Sequence, residues 1–195
     1  KVQAFTDGTN NLTGVGQFIH IADFNCDVNH NIFSNKTIHS LDTFQADTAT
    51  SYHCNAVATF AAGDNTDGSS SLFSGVAPDA DLVLSSIPVT SAPYAFDDFA
   101  ADLDSARGYG AVASNNSWSL CDVKISGVCY SAFDATEAQT YLDNNSSLTT
   151  NQAFAKYTMG TTSASTEWAQ YITALDNFQN NGVIVWANGN YYESG

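Results

Sequence analysis

Phe18-Ile19-His20-Ile21-Ala22-Asp23 is the stretch of sequence that decides the fold. Its first five residues are mostly apolar, and they predict a short β-strand that ends at the carboxylate of Asp23. Three further segments of similar character lie at 81–87, 111–114 and 183–187. Because their apolar residues are continuous rather than alternating with polar ones, these strands predict a sheet that is covered on both faces.

Helical patterns separate these strands. Residues 51–62 are rich in alanine and predict a helix that opens at Ser51. Two later segments have apolar residues at helical spacing: Phe96, Phe99, Ala100 and Leu103, stopping near Gly108, then Trp168, Tyr171, Ile172 and Leu175, ending at Asn181-Gly182. Strands that alternate with helices predict an α/β fold in three layers, with a mostly parallel central sheet. Residues 120–164 break the alternation and are expected to be an insertion.

Length, charge and cysteine content limit the class of protein. The 195 residues suit one domain, 1–195, and carry 20 Asp and Glu against 5 Lys and Arg, a net charge of −15. Such a polyanion repels nucleic acid and anionic lipid, so neither is an expected partner. No apolar run approaches the roughly 20 residues of a membrane span, and no targeting segment is recognisable at the N-terminus. The low charged fraction of 13% and the even number of cysteines, 4, favour a secreted or cell-surface protein.

Polar residues follow two of the predicted strands. Asp23 ends the first strand, and Asn188-Gly189-Asn190 follows the last one. His53 lies at the start of the helix between them. In a parallel α/β sheet, functional residues gather beyond the carboxyl ends of the strands. An Asp, a His and an amide donor are three of the four parts of a hydrolase that uses a serine nucleophile.

Five sequence blocks resemble those of the subtilisin-like serine proteases (subtilases). Residues 14–23 look like the block G-x-G…V-A-V-I-D, and residues 51–58 resemble the histidine block H-G-T-H-V-A. Residues 75–80 match G-V-A-P-x-A, residues 115–119 are similar to N-x-S-[LW]-G, and residues 183–190 resemble V-V-V-A-A-A-G-N. The blocks occur in the family's order and cover most of the chain, so the resemblance implies the subtilisin-like three-layer fold.

The resemblance also implies roles for individual residues. Asp23 would accept a hydrogen bond from the ring of His53, and His53 would act as general base and then general acid. Asn190 would donate its side-chain amide to the developing oxyanion. A peptide substrate would pair with one segment as an added strand and meet a second segment as the opposite wall of the pocket. These substrate-binding residues are Ser117, Trp118, Ser119, Ala187, Asn188 and Gly189.

The sequence departs from the family pattern around both catalytic residues. Asp23 is followed by Phe24-Asn25, where the family has Ser or Thr and then Gly. Cys54, Asn55 and Ala56 replace the Gly, Thr and second His of the histidine block. Ser119 stands where Gly is usual and is expected to narrow the mouth of the specificity pocket. These changes leave open an alternative, a non-catalytic subtilase-like module that serves as a binding or surface passenger domain.

The nucleophile is missing from its expected place. In the family, the serine block G-T-S-x-A-x-P follows the oxyanion Asn, but here only five residues follow Asn190. Residues 159–165 imitate the block, yet they precede Asn190 and lack the Pro. Ser165 or Thr166 is instead predicted to be the N-cap of the following helix. The chain is therefore expected to be the N-terminal part of a larger catalytic domain, incomplete at its C-terminus and inactive alone.

The cysteines suggest up to two disulfides. Cys121 and Cys129 lie in the predicted insertion, and a local loop-closing disulfide between them is expected. Cys26 follows Asp23 closely and Cys54 directly follows His53, so the two cysteines can bridge if Asp23 touches His53. A pair of buried free thiols is the alternative. A cysteine nucleophile at Cys54 is disfavoured, because adjacent residues at a helix start point in different directions.

No cofactor is required by this chemistry. Residues 64–69, Asp-Asn-Thr-Asp-Gly-Ser, are rich in oxygen ligands and could hold a structural Ca²⁺, as the corresponding loop of subtilases often does. The other interpretation is a solvated turn. The expected partners are a protein or peptide substrate and the C-terminal remainder of the same catalytic domain.

Overall fold

A computed structural model describes residues 13–44, 51–64, 74–87, 96–118, 124–125, 128–129, 140, 143–150, 152–153, 162 and 165–187. Its strands are β1 (Phe18–Asp23), β2 (Ile38–Ser40), β3 (Asp81–Ser86), β4 (Ala111–Asn116), β5 (Lys124–Ile125), β6 (Val128–Cys129) and β7 (Val183–Trp186). Its α-helices are α1 (Ser51–Ala62), α2 (Phe96–Gly108) and α3 (Ser165–Gln179), and a 3₁₀ helix spans Asn31–Phe33.

Five strands form one parallel sheet in the order β2-β3-β1-β4-β7. The predicted α/β class is therefore confirmed, with β1 in the middle of the sheet. The sequence pattern missed β2, because Ile38-His39-Ser40 is too short to show a period. Strands β5 and β6 pair as a small antiparallel sheet inside residues 120–164.

The helices cover both faces of the sheet, as the continuous apolar strands predict. Side chains alternate along each strand, so neighbouring residues belong to different clusters. Leu82 and Leu84 of β3 pack in the cluster under α1, whereas Val83 packs in the cluster under α2 and α3. The α1 side is filled largely by small residues, and the α2–α3 side contains most of the aromatic rings.

Helices α2 and α3 pack against each other through aromatic rings. Phe96 at the start of α2 lies with its ring centroid 5.0 Å from that of Trp168 and 5.4 Å from that of Tyr171. Ser165, which belongs to the imitation of the serine block, is the first residue of α3. None of the helices in the described ranges is long and apolar enough to cross a membrane.

The parallel register brings the carboxyl ends of the strands to one edge of the sheet. Asp23 pairs with Ser86 at the end of β3. On its other side, Ala22 pairs with Asn116 at the end of β4, and Asn116 in turn pairs with Trp186 at the end of β7. Polar residues from three neighbouring strands, Asp23, Ser86 and Asn116, therefore meet at this edge, where the predicted site lies.

Candidate active site

Asp23 and His53 form a hydrogen-bonded pair. His53 Nδ1 lies 2.8 Å from Asp23 Oδ1 and 3.0 Å from Oδ2, so the ring N–H donates to the carboxylate. Asp23 is the last residue of β1, and His53 lies in the first turn of α1. The two residues are 30 positions apart in the sequence, and the packing of α1 against β1 brings them together.

The surroundings of Asp23 control its charge. Its side chain is fully buried, and this burial raises the pKa of the carboxyl above its ordinary value. The hydrogen bond and charge of His53, together with the backbone N–H of Phe24 at 2.7 Å, lower the pKa and offset part of that effect. A buried carboxylate that is held by two donors is a fixed acceptor, which orients the imidazole and stabilises its protonated form.

His53 presents its second nitrogen away from the carboxylate. The side chain is 53% exposed although its partner is buried. With Nδ1–H bound to Asp23, the neutral ring carries its free lone pair on Nε2. Within the described part of the chain, no hydroxyl hydrogen-bonds to this ring. This lone pair is able to accept a proton, for example from a hydroxyl group.

A disulfide joins the two segments that carry the pair. Cys26 is bonded to Cys54, and both residues are fully buried. The backbone N–H of Asp27 also donates to Asn55 Oδ1 at 3.0 Å. The bridged arrangement that the sequence left open is therefore the one found, and Cys54 is not a free nucleophile.

Two of the predicted substrate-binding residues, Ser117 and Trp118, directly follow β4. Asn115 Nδ2 donates to Ser117 Oγ at 2.8 Å, and Asn116 O accepts from the backbone N–H of Ala187 at 3.0 Å. Trp118 is only 8% exposed, and its ring stacks on Phe99 at 5.1 Å. Its Nε1–H is buried and has no hydrogen-bond partner among the described residues.

Several predicted site residues lie outside the described residues. They are Ser119, Asn188, Gly189 and Asn190, so their part in the site stays a prediction. The same holds for Cys121 and for most of the predicted calcium loop, of which only Asp64 is described.

A second histidine network, which the sequence analysis missed, lies inside the sheet. His20 Nδ1 lies 2.9 Å from Ser114 Oγ, and Nε2 lies 2.9 Å from Ser85 Oγ. Ser114 also accepts from Asn116 Nδ2 at 3.1 Å. His–Ser pairs occur in nucleophilic catalysis, but His20 is only 1% exposed and burial lowers its pKa to about 4. These groups are out of reach of a substrate, so the network belongs to the interior of the sheet.

An acidic cavity of about 430 Å³ lies between the end of β3 and α2. Asp42, Asp98 and Asp102 line it, and Asp42 accepts the backbone N–H of Ser86 at 2.6 Å. Burial, then the charges of Asp42 and Asp98, raise the pKa of Asp102 to about 7, so this carboxyl is partly protonated at neutral pH. Across the described ranges, no group of three or more His, Cys, Asp or Glu side chains is arranged to hold a metal ion.

Comparisons with known proteins agree with this architecture. The sequence profile of the family described as the subtilase family matches residues 13–195. No curated protein sequence matches the chain.

Solved structures of proteases have the same fold. MycP1 with its N-terminal propeptide removed is 19% identical at a TM-score of 0.54, over 94% of this chain and 46% of that one. The patellamide maturation protease PatA is 17% identical at a TM-score of 0.52, over 91% of this chain and 50% of that one. The prenylagaramide maturation protease PagA is 16% identical at a TM-score of 0.52, over 89% of this chain and 46% of that one. The chain thus spans about half the length of these structures.

Proposed function

Because the chain belongs to the subtilase family, we propose that it is the N-terminal part of the catalytic domain of a serine endopeptidase. The observation that carries this proposal is the hydrogen bond between His53 Nδ1 and the buried carboxylate of Asp23 at the carboxyl edge of the sheet. A non-catalytic binding module has no need of a buried carboxylate that orients a half-exposed imidazole.

The proposed reaction uses His53 as a proton carrier. Nε2 takes the proton of a serine hydroxyl as its oxygen attacks the substrate carbonyl carbon, and a tetrahedral intermediate forms. The imidazolium then gives this proton to the leaving amine, the C–N bond breaks, and an acyl-enzyme remains. Water attacks the acyl-enzyme by the same route, which releases the acid and restores the serine. Asp23 stabilises the imidazolium in both halves.

Residues at the ends of β4 and β7 would hold the substrate and the oxyanion. We assign the oxyanion donor to the side chain of Asn190, the substrate strand to 117–119 and the opposite wall to 187–189. The support is their order after strands whose ends already meet beside Asp23. Removing an oxyanion donor typically lowers kcat by about 100- to 1000-fold.

The serine is assigned to a segment that lies C-terminal to this chain. The family order of the blocks supports this, as does the fact that the chain spans about half of its structural relatives. Strand β7 offers further support, because among the described strands it pairs only with β4 and its residues Val183 and Val185 are 62% and 50% exposed. Further strands of the same domain would pair with this edge and cover these side chains.

The disulfide and the few cations favour a secreted or cell-surface protein.

A serine-directed fluorophosphonate probe tests the proposal. We expect no labelling of this chain alone, and stoichiometric labelling of the full-length protein at a serine beyond residue 195. Labelling should fall at least 1000-fold in His53→Ala, because the serine then has no base. His30→Ala is a matched control, since His30 lies in an exposed turn and its variant should label normally.

The alternative module makes a different prediction. If the full-length protein is folded but no serine reacts, the chain serves as a binding or surface passenger domain. Labelling of Ser163 or Ser165 in the isolated chain would overturn the assignment of the nucleophile to a later segment.

A further inference from the structure

Helix α1 is anchored differently at its two ends. At its C-terminal end, the backbone N–H groups of Gly75, Val76 and Ala77 donate to carbonyls of residues 63, 60 and 61 at 2.8–2.9 Å. These bonds satisfy orphan carbonyls of the last turn and fix that end of the helix. His53 lies at the opposite end, beyond the reach of these bonds.

The apolar packing of α1 is thin. The buried apolar residues of α1 are Cys54, Ala58 and Ala62, and Val57 and Ala61 are partly buried against the same cluster. Its two aromatic side chains, Tyr52 and Phe60, are 66% and 77% exposed. Small side chains bury little apolar area, and each buried CH₂ contributes only about 0.8 kcal/mol. Among the described side chains of the first turn, Cys54 is the buried one.

Two links cross from this first turn to the loop after β1. One is the Cys26–Cys54 disulfide, with Cα atoms 5.2 Å apart, and the other is the hydrogen bond from the backbone N–H of Asp27 to the 7% exposed side chain of Asn55. Both links are immediately adjacent to the catalytic pair, since Cys54 and Asn55 follow His53 and Cys26 lies just beyond Asp23. We call these two links the clamp.

We propose that the clamp is a positioning device for catalysis, in which Cys26, Cys54 and Asn55 fix the distance between the Asp23 carboxylate and the His53 ring. This inference rests on the proposed function and adds three positioning residues to it. Two of them, Cys54 and Asn55, occupy positions where the sequence departs from the family's histidine block, and each of these departures supplies one of the two links.

The clamp acts by orienting the imidazole ring. The side chain of His53 is half exposed, so its own packing does not hold the ring. Without the clamp, the first turn of α1 is free to fray, because helix ends lack intrahelical partners. A displacement of about 1 Å between catalytic groups can lower turnover by about 100-fold.

The test uses the full-length protein with variants that open each link. Cys26→Ser with Cys54→Ser removes the covalent link without leaving a lone thiol, and Asn55→Ala removes the acceptor for Asp27. Asn55→Asp keeps an acceptor oxygen and should retain most of the activity. Phe178→Leu is the control for a general loss of stability, since Phe178 is buried in the cluster on the other face of the sheet.

Two readouts separate positioning from folding. The first is the strongly downfield ¹H NMR resonance of an imidazole Nδ1–H bound to a carboxylate, assigned by its absence in Asp23→Asn. The second is the division of the kinetic effect between kcat and KM on a peptide substrate. We expect the clamp variants to weaken the resonance and to lower kcat by about 10- to 100-fold with little change in KM, whereas Phe178→Leu changes neither.

If the double serine variant and Asn55→Ala both have the kcat of wild type and an intact resonance, the proposed role of the clamp is overturned. Failure of the proposed function has a different signature, in which the wild-type protein hydrolyses no peptide and labels no serine. The resonance still tests the clamp in that case. If the double serine variant does not fold, the comparison of Asn55→Ala with Asn55→Asp decides the question.

Discussion

His20 and Asp23 lie on the same strand, three positions apart, and burial shifts their pKa values in opposite directions. Burial penalises the charged form of each group, so it lowers the pKa of His20 and raises that of Asp23. Asp23 has His53 as a partner that counteracts this effect, whereas His20 has only neutral hydroxyls. One strand therefore carries a histidine kept neutral and a carboxylate whose charge depends on its partner.

The lowered pKa of His20 leads us to expect that the folded protein loses stability in mild acid. Its pKa is about 4 in the folded protein, against an ordinary value of 6.5 for an exposed histidine, so the unfolded chain binds the proton more tightly. The stabilisation is fully present above about pH 6.5 and is lost as the pH falls towards 4. Between pH 7 and pH 4.5, we expect the free energy of unfolding of wild type to fall by about 2 kcal/mol more than that of His20→Gln, which cannot titrate. Urea unfolding at the two pH values measures this difference. Parallel pH dependences in the two proteins would contradict the role assigned to His20.

The residues that the sequence could predict are those with a recognisable local pattern. Asp23 and His53 each end or begin a predicted element, and their order matches a family, so their pairing could be expected. The partners of His20 could not, because Ser85 and Ser114 lie 65 and 94 positions away and become neighbours only through the strand order. The Cys26–Cys54 bond stayed open, because the same sequence is equally compatible with two buried free thiols.

Two glycines beside helices have different surroundings, so replacing each by alanine should change stability in opposite directions. A Cβ at Gly75 would lie 2.7 Å from backbone atoms of Thr59, Ala62 and Gly63 at the end of α1. A Cβ at Gly108, the last residue of α2, would meet nothing within 4 Å. We expect Gly75→Ala to lower the free energy of unfolding by about 1–3 kcal/mol, and Gly108→Ala to raise it by up to about 1 kcal/mol. Thermal or urea unfolding of the two variants measures the difference, and equal effects would contradict the contact at Gly75.

The small sheet in the insertion carries the second cysteine prediction. Cys129 ends β6, whereas Cys121 lies outside the described residues. We expect Cys121 and Cys129 to be joined, so thiol labelling of the denatured, unreduced protein should find none of the four cysteines free. Two reactive thiols at Cys121 and Cys129 would show that this disulfide does not form.

Elements were predictable where their apolar pattern is long enough to have a period. Helices α2 and α3 and strands β1, β3, β4 and β7 lie close to their predicted bounds. Strand β2 has only three residues and gains its structure from pairing with β3, which no local pattern records. The hairpin β5–β6 was missed because two residues per strand are too few to form a pattern.

For the whole molecule, the exposed apolar edge at β7 predicts self-association of the 195-residue chain. Val183, Val185 and Trp186 are 62%, 50% and 41% exposed, while the net charge of −15 keeps copies apart. We therefore expect association to increase with salt, because salt screens the repulsion and leaves the apolar contact.

Analytical ultracentrifugation at low salt and at about 0.5 M salt checks this expectation. The double variant Val183→Lys with Val185→Lys should stay monomeric at both salt concentrations. Val15→Lys is the matched control, since Val15 is 73% exposed but lies outside the strands. A wild-type chain that stays monomeric at both salt concentrations would contradict the assignment of this edge as a pairing surface.

The central position of β1 also has a consequence for biosynthesis. During translation β1 leaves the ribosome before both of its neighbours, which are β3, complete at residue 86, and β4, complete at residue 116. The central strand of the sheet must therefore wait for roughly a hundred residues of further synthesis before both of its edges are paired. Long-range parallel pairing is slow, and unpaired apolar strands aggregate, so the nascent chain is an expected client of chaperones until β4 has emerged.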